Sequence, residues 1–233
     1  MSERARRVYR QLFHPRSIVV VGASNDPRKP GGRLVQNLKR NAYAGRLWAV
    51  NPRGPVLDLE TVASVADLPE APELALIVIP APGVRPALSD LAARGAGCAI
   101  VMTAGFGEKD AAGREEEQRL RAIAEAAGMA VIGPNCSGFL TPTYAGKFAG
   151  ILTRPRPGTI DLVTGSGALM DFVVEQAETR GVAFSNAVNV GNSMQMGVED
   201  ILELLDENFG PESARIQMLY VERLDKPEKL LRH

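Results

Sequence analysis

The sequence predicts an α/β protein, a doubly wound parallel sheet followed by a second and shorter α/β unit. Three observations predict it. Short apolar runs rich in β-branched residues alternate with longer amphipathic segments from Ser17 to Val221, the pattern of strands buried on both faces by crossover helices. Glycines such as Gly95 and Gly128 close the amphipathic segments, where a left-handed residue ends a helix. The first apolar run, Ser17-Ile-Val-Val-Val21, empties into the small-residue loop Gly22-Ala-Ser24, and Gly31 and Gly32 then open the next helix.

Taken in order, a charged segment at Ser2–Leu12 predicts a first helix. Strands are expected at Ser17–Gly22, Leu47–Asn51, Leu74–Pro80, Cys98–Thr103 and Ala130–Gly133, with helices at Gly32–Asn41, Val84–Gly95 and Asp110–Gly128. Ile132–Pro142 and Thr153–Gly158 are rich in Gly and Pro, as a domain junction is. The alternation then resumes: strand Thr159–Thr164, turn Gly165-Ser-Gly167, helix Ala168–Gly181, strand Ala183–Val190, helix Val198–Asn208, strand Arg215–Val221 and the start of a helix at Pro227–His233. Three strands make a thin second sheet, and the pattern reads as cut short inside that last helix.

Composition narrows the function by exclusion. The 233 residues carry 27 Lys plus Arg against 27 Asp plus Glu, so there is no basic footprint for nucleic acid or for a membrane surface. No run has the length of a membrane span, and Met1-Ser-Glu-Arg-Ala-Arg-Arg7 lacks the apolar core of a secretory signal. The expected location is the cytoplasm. Cys98 and Cys136 lack C-x-x-C spacing, and His14 and His233 stand at opposite ends. Neither a metal site nor a disulfide is expected from them.

The chemistry is expected at the loops. A strand that ends in a small-residue loop before a helix delivers backbone N–H groups and a positive helix end to one place, which suits a phosphate. Gly22 permits the sharp exit from the strand, Ala23 and Ser24 keep bulk low there, and Arg28, Lys29 and Arg33 add positive charge. This is neither the dinucleotide G-x-G-x-x-G nor the triphosphatase P-loop, and on the loop alone an ordinary strand-to-helix turn stays open. The second strand ends Val50-Asn-Pro-Arg53, without the acid that an NAD site places on the ribose diol. Arg53 offers a guanidinium to a ribose phosphate instead, which suits NADP or coenzyme A. Thr164-Gly-Ser-Gly-Ala168 is not a complete G-x-S-x-G elbow. It reads equally as a second anion pocket, through the Ser166 and Gly167 amides, or as a tight packing turn. Glu222, at the end of an apolar strand, is either a solvated carboxylate or one that orients a reacting group.

Several segments recur in a recognisable order: Leu12-Phe-His-Pro-Arg-Ser-Ile18, Val21-Gly-Ala-Ser24, Ile79-Pro-Ala-Pro82, Thr103-Ala-Gly-Phe-Gly-Glu108, Ile132-Gly-Pro-Asn-Cys136, Ser166-Gly-Ala-Leu169, Val190-Gly-Asn192 and Tyr220-Val-Glu222. Over nearly the whole chain they resemble the NDP-forming acyl-CoA synthetases, a group related to the α-subunit of succinyl-CoA synthetase. The resemblance implies a CoA-binding Rossmann-like domain over residues 1–144. A succinyl-CoA synthetase-like flavodoxin domain, incomplete at its C-terminus, would fill residues 145–233. It implies an acid-thiol ligase acting through an acyl phosphate and a phosphohistidine.

Carried over by residue, Gly22, Ala23, Ser24, Lys29, Pro52 and Arg53 would hold CoA phosphates and ribose. Pro80, Ala81 and Thr103 would line the crevice, and Asn135 and Cys136 would lie toward the pantetheine thiol. Ser166 and Gly167 would cradle the phosphoryl group beside Asn192, with Glu222 supporting the histidine. The family's histidine segment follows the position of Glu222, and neither His14 nor His233 matches it. The resemblance therefore implies a part of a longer enzyme, incomplete as a catalyst alone. It would need an ATP-grasp domain or subunit, with ATP/ADP and Mg2+ used only there, and oligomer formation would be compatible with it. Two other readings remain at this level: a CoA- or acyl-CoA-sensing module of a protein acetyltransferase or other regulator, and an NADP-dependent oxidoreductase resting on Arg53 alone.

Overall fold

The computed structural model describes residues 3–150, 152–153 and 155–233. Ser2 of the expected first helix and Arg154 of the expected junction therefore lie outside the described residues. The elements in chain order are α1 (Glu3–Phe13), β1 (Ser17–Val21), α2 (Pro30–Arg40), β2 (Arg46–Val50), β3 (Glu60–Val62), a 3-10 turn (Val65–Asp67), β4 (Leu74–Ile77), α3 (Ala81–Arg94), β5 (Cys98–Val101), α4 (Ala111–Ala126) and β6 (Ala130–Ile132). There follow β7 (Gly138–Leu140), β8 (Ala145–Lys147), β9 (Ile160–Thr164), α5 (Gly167–Glu178), β10 (Phe184–Asn189), α6 (Val198–Glu207), β11 (Ile216–Tyr220) and α7 (Pro227–Arg232).

The first sheet has the order β3-β2-β1-β4-β5-β6, and its strands pair in parallel. Chain order reverses between β1 and β4, which makes that gap the switch point where a doubly wound sheet opens a crevice. Alternation along β1 explains why both faces are apolar. Val19 and Val21 join the core under α3 and α4, with Leu88, Leu91 and Leu120. Ile18 and Val20 point the other way, into a core shared with α1, α2 and α6.

The second sheet corrects the sequence reading. It has five strands, in the order β11-β9-β10-β7-β8, where three were expected. The additional two are the hairpin β7–β8, which adds antiparallel to β10 through the pairs Ala187–Leu140 and Val188–Phe139. Gly and Pro made Ile132–Pro142 read as pure junction, yet it contains β7 and the tight turn at Pro142. The chain thus passes from one sheet to the other between Ile132 and Gly138, upstream of the 144/145 division. Phe139, Val163 and Val188 of the second sheet lie in one cluster with Ile18, Leu76 and Ile100 of the first, so the two sheets share a core. The far face of the second sheet packs under α5 through Leu162, Met170 and Val174. Among the described residues no helix is long and apolar enough to cross a membrane.

Candidate functional site: the carboxyl rim of the two sheets

Gly22 leaves β1 at φ +94°, and its N–H donates to the Val50 carbonyl at 3.1 Å. A Cβ at this position would meet Ile79 Cγ2 at 2.6 Å and the Val78 carbonyl oxygen at 2.7 Å. The glycine is therefore required by the sharp exit of the backbone from β1 and by the neighbouring strand. The same holds for the pair opening α2: a Cβ on Gly31 would sit 1.9 Å from the Gly22 carbonyl oxygen, and one on Gly32 would sit 2.0 Å from that of Asp26. The helix start is folded tightly onto its own loop. Ala23 is buried, while Ser24 accepts from the Asp26 N–H at 3.1 Å. Asn25, which the sequence reading missed, joins this loop to the one after β2. Its amide donates to the Pro55 carbonyl at 2.9 Å and its Oδ1 accepts from the Leu57 N–H at 2.7 Å.

The nearby cations divide into engaged and available ones. Arg28 closes on Asp26 through Nε and Nη2, both at 3.0 Å, which with the Arg28 N–H draws the Asp26 carboxyl down to about 2. Lys29, at the N-cap of α2, and Arg53 are exposed and have no ion-pair partner among the described residues. The Arg53 backbone is fixed by its N–H to Asn51 Oδ1 at 2.9 Å, and the space around the Gly54 Cα is open. Pro52 lies exposed in the same turn. Two unpaired cations at adjoining strand ends fit the phosphates of a nucleotide-derived coenzyme.

Across the switch point, Pro80 caps α3 and Ala81 is its first residue. Thr103 Oγ1 donates to the Ile79 carbonyl at 2.7 Å, and a Cβ on Gly105 would lie 3.7 Å from the Ala81 methyl. Pro80, Ala81 and Thr103 therefore lie together on one wall at the carboxyl ends of β4 and β5. Asn135 continues it: its N–H donates to the Thr103 carbonyl at 2.9 Å and its amide to Asn192 Oδ1 at 3.2 Å. Cys136 does not belong to this wall. It is 3% exposed, its thiol donates to the Val101 carbonyl, and burial pushes it up to about 12. Its side chain thus occupies a packed core position.

Asn192 is a tether between the two sheets. Its Nδ2 donates to Glu108 Oε2 at 2.5 Å and to Glu117 Oε1 at 2.6 Å. Burial pushes the Glu108 carboxyl up, but bonds from the Gly105 N–H, the Asn192 amide and the Phe106 N–H outweigh it and hold it below the usual range. With Asn135 on its oxygen, the amide of Asn192 is fully engaged, so its place is structural in this conformation.

The second half of the rim is the turn from β9 into α5. Ser166 is the N-cap, its Oγ accepting from the Leu169 N–H at 3.4 Å, and its own N–H donates to Thr164 Oγ1 at 2.9 Å. A Cβ on Gly167 would come within 2.6 Å of Ser137 Oγ. Behind the turn, Asn189 is fully buried: its Nδ2 donates to the Thr164 and Gly165 carbonyls, and its Oδ1 accepts from the Ser137 N–H at 2.8 Å. Neither Asn189 nor Ser137 was marked by the sequence reading. Glu222 is exposed and adjacent to this turn, since a Cβ on Gly165 would stand 3.2–3.3 Å from its side chain. Residues 133–137 run from the Asn192 tether to Ser137 under α5, so crevice and turn open on the same rim. His14 and His233 are elsewhere, lining a cavity of about 880 Å³ with Asp161, Asn186 and Gln217 from the second sheet.

Two families match the chain: the CoA binding domain over residues 16–142, and the succinyl-CoA ligase like flavodoxin domain over residues 157–233. The chain is 35% identical over 212 residues to the α subunit of acetate--CoA ligase [ADP-forming] II of Pyrococcus furiosus, covering 91% of this chain and 45% of that one. It is 31% identical to the 4-hydroxybutyrate--CoA ligase [ADP-forming] of Nitrosopumilus maritimus, covering 95% of this chain and 32% of that protein. Among solved structures, the dinucleotide forming acetyl-coenzyme A synthetase 1 of Ca. Korarchaeum cryptofilum, in complex with phosphate and ADP, superposes with a TM-score of 0.88 at 28% identity. That match covers 96% of this chain and 48% of that one. The chain thus spans half or less of the length of these relatives.

Proposed function

The chain belongs to the CoA binding domain family and carries a succinyl-CoA ligase like flavodoxin domain behind it, and from that premise we propose that it is the CoA-binding part of an NDP-forming acyl-CoA synthetase, an acid-thiol ligase. The observation that carries this reading is the common rim. A crevice with two unpaired cations, Lys29 and Arg53, opens on the same side as a helix N-terminus flanked by an exposed carboxylate, Glu222. Lys29 and Arg53 bind the phosphates of CoA, with Gly22, Ala23, Ser24 and Pro52 shaping the loop around them. Pro80, Ala81, Thr103 and Asn135 form the wall that directs the thiol end toward the second sheet.

At the positive end of α5 the Gly167 amide and the Ser166 hydroxyl, whose proton is left to donate because its oxygen accepts from Leu169, hold a phosphoryl group. Glu222 orients the imidazole that carries that group and stabilises its charged form. Both histidines of the chain line the cavity around Asp161 and not the turn, which supports a carrier histidine outside these 233 residues. The nucleotide and its Mg2+ would be handled by an ATP-grasp partner, and the location would be the cytoplasm.

Titration calorimetry with CoA, NADP and NAD tests the reading. CoA binds and the two dinucleotides do not. Arg53→Ala weakens CoA about tenfold while leaving the melting temperature unchanged, because it removes one charge-assisted hydrogen bond to the ligand from an exposed position. Tight NADP binding with no heat from CoA would overturn it.

A further inference from the structure

Away from the rim, the last turn of α6 carries Glu203, Asp206 and Glu207 and no basic residue. A helix C-terminus already favours positive charge. Glu203 and Glu207 stand four residues apart, on one face, and His233 packs against them from the end of α7. The His233 side chain is 8% exposed, and its Nδ1 lies 2.8 Å from Asp206 Oδ2. A carboxylate there favours the neutral tautomer with its proton on Nδ1, in which Nε2 offers a lone pair. Nε2 is buried and has no hydrogen-bond partner among the described residues. It points toward Glu203, with Oε1 at 3.8 Å, and the His233, Glu203 and Glu207 ligand atoms all lie within 4.8 Å of one another. A buried imidazole nitrogen without a partner is costly, and in this setting a cation satisfies it.

We propose that His233, Glu203 and Glu207 form a binding site for a divalent first-row transition metal. Metal–ligand bonds of about 2.0–2.2 Å in tetrahedral geometry place ligand atoms roughly 3.3–3.6 Å apart, so a trio already within 4.8 Å closes on the ion by about 1 Å through side-chain rotation. Asp206 supplies the carboxylate that holds the ligating imidazole in its tautomer. Lys229 pairs with the other Glu203 oxygen, Oε2, and with Asp200 Oδ1 at 2.8 Å, which leaves Glu203 Oε1 to the metal. The carboxylates of Asp200, Glu203, Asp206 and Glu207 outnumber the ammonium groups of Lys226 and Lys229, and this excess of negative charge favours a divalent cation. One nitrogen with two carboxylates favours Zn2+, Co2+ or Mn2+ over Mg2+ or Ca2+. The site ties α7, and with it the segment that follows Glu222, to α6.

Co2+ titration of the whole chain, followed by visible absorption and by thermal melting, tests the site. The expected result is a saturable 1:1 spectrum that Zn2+ displaces and Mg2+ does not, with a higher melting temperature in the presence of metal. His233→Gln and Glu207→Gln abolish the spectrum, and Asp206→Asn weakens binding about 10–100-fold. Glu228→Gln, on the exposed side of α7, binds as the parent does. Circular dichroism verifies that each variant is folded. No saturable spectrum in the parent, or an unchanged one in folded His233→Gln, would overturn the proposal.

Discussion

At the scale of single residues, Glu73 shows how one carboxylate joins two strands. Its side chain is 9% exposed and accepts from the Arg16 N–H at 2.7 Å and from the Arg16 guanidinium at 2.8 and 2.5 Å, while its own N–H donates to Ser17 Oγ at 3.0 Å. It thus anchors the start of β4 to the start of β1. Burial alone would raise its carboxyl above the ordinary 4.5, but the Arg16 bonds and the Arg16 and Arg10 charges outweigh burial and lower it. An acid with a depressed folded value stabilises above its unfolded value, and that contribution is lost as pH falls through the folded one. Glu73→Gln is therefore expected to cost about 1–2 kcal/mol at pH 7 and to flatten the loss of stability below pH 4.5. Urea melts of both proteins between about pH 3 and 7 measure this. Parallel curves over the whole range would show that Glu73 is not coupled to acid unfolding.

At the scale of elements, the junction of β9 and α5 is set by tertiary contacts more than by its own residues. Gly167 is needed because Ser137 Oγ occupies the place of a Cβ, 2.6 Å away. Gly167→Ala should destabilise by about 1–2 kcal/mol, and Ser137→Ala added to it should recover part of that loss, since the Asn189 amide oxygen stands at 3.3 Å. A double-mutant cycle on denaturant unfolding reads the coupling, expected at about 1 kcal/mol; strict additivity would mean that α5 moves away from Ser137 freely. Such contacts explain what was legible in the sequence. The central strands announced themselves because β-branched runs such as Ile18–Val21 are buried on both faces. The strands β3, β7 and β8 are as short as β6, three residues each, but lack its unbroken apolar run Ala130-Val-Ile132: β3 opens on Glu60, and β7 and β8 contain glycine. The loops of the site were legible as small-residue turns. Asn189 and Ser137 were not, because their bond joins positions 52 residues apart. The inward turn of the Cys136 side chain was not legible either, because a motif gives a position in the chain and not the direction of a side chain.

At the scale of the molecule, the shared core sets how the protein unfolds. Phe139 of β7 is fully buried, and its ring centre lies 5.7 Å from that of Phe13 on α1. Tyr144, equally buried, donates to the Leu12 carbonyl at 2.7 Å. Asn37 of α2 donates to the Lys147 carbonyl on β8 at 2.7 Å. The hairpin that extends the second sheet is therefore clamped by the first two helices of the chain, and α6 packs against α1 in the same cluster. Two units that meet only at a linker unfold separately, whereas units with a common core lose their packing together. Phe139→Ala should remove about 3–5 kcal/mol from a single transition, moving it as a whole. Calorimetry with and without CoA measures this: one peak in the parent, one earlier peak in the variant, and an upward shift of the entire peak with ligand. Two resolved peaks, of which CoA or the substitution moves only one, would show that the sheets are energetically independent despite the contacts between them.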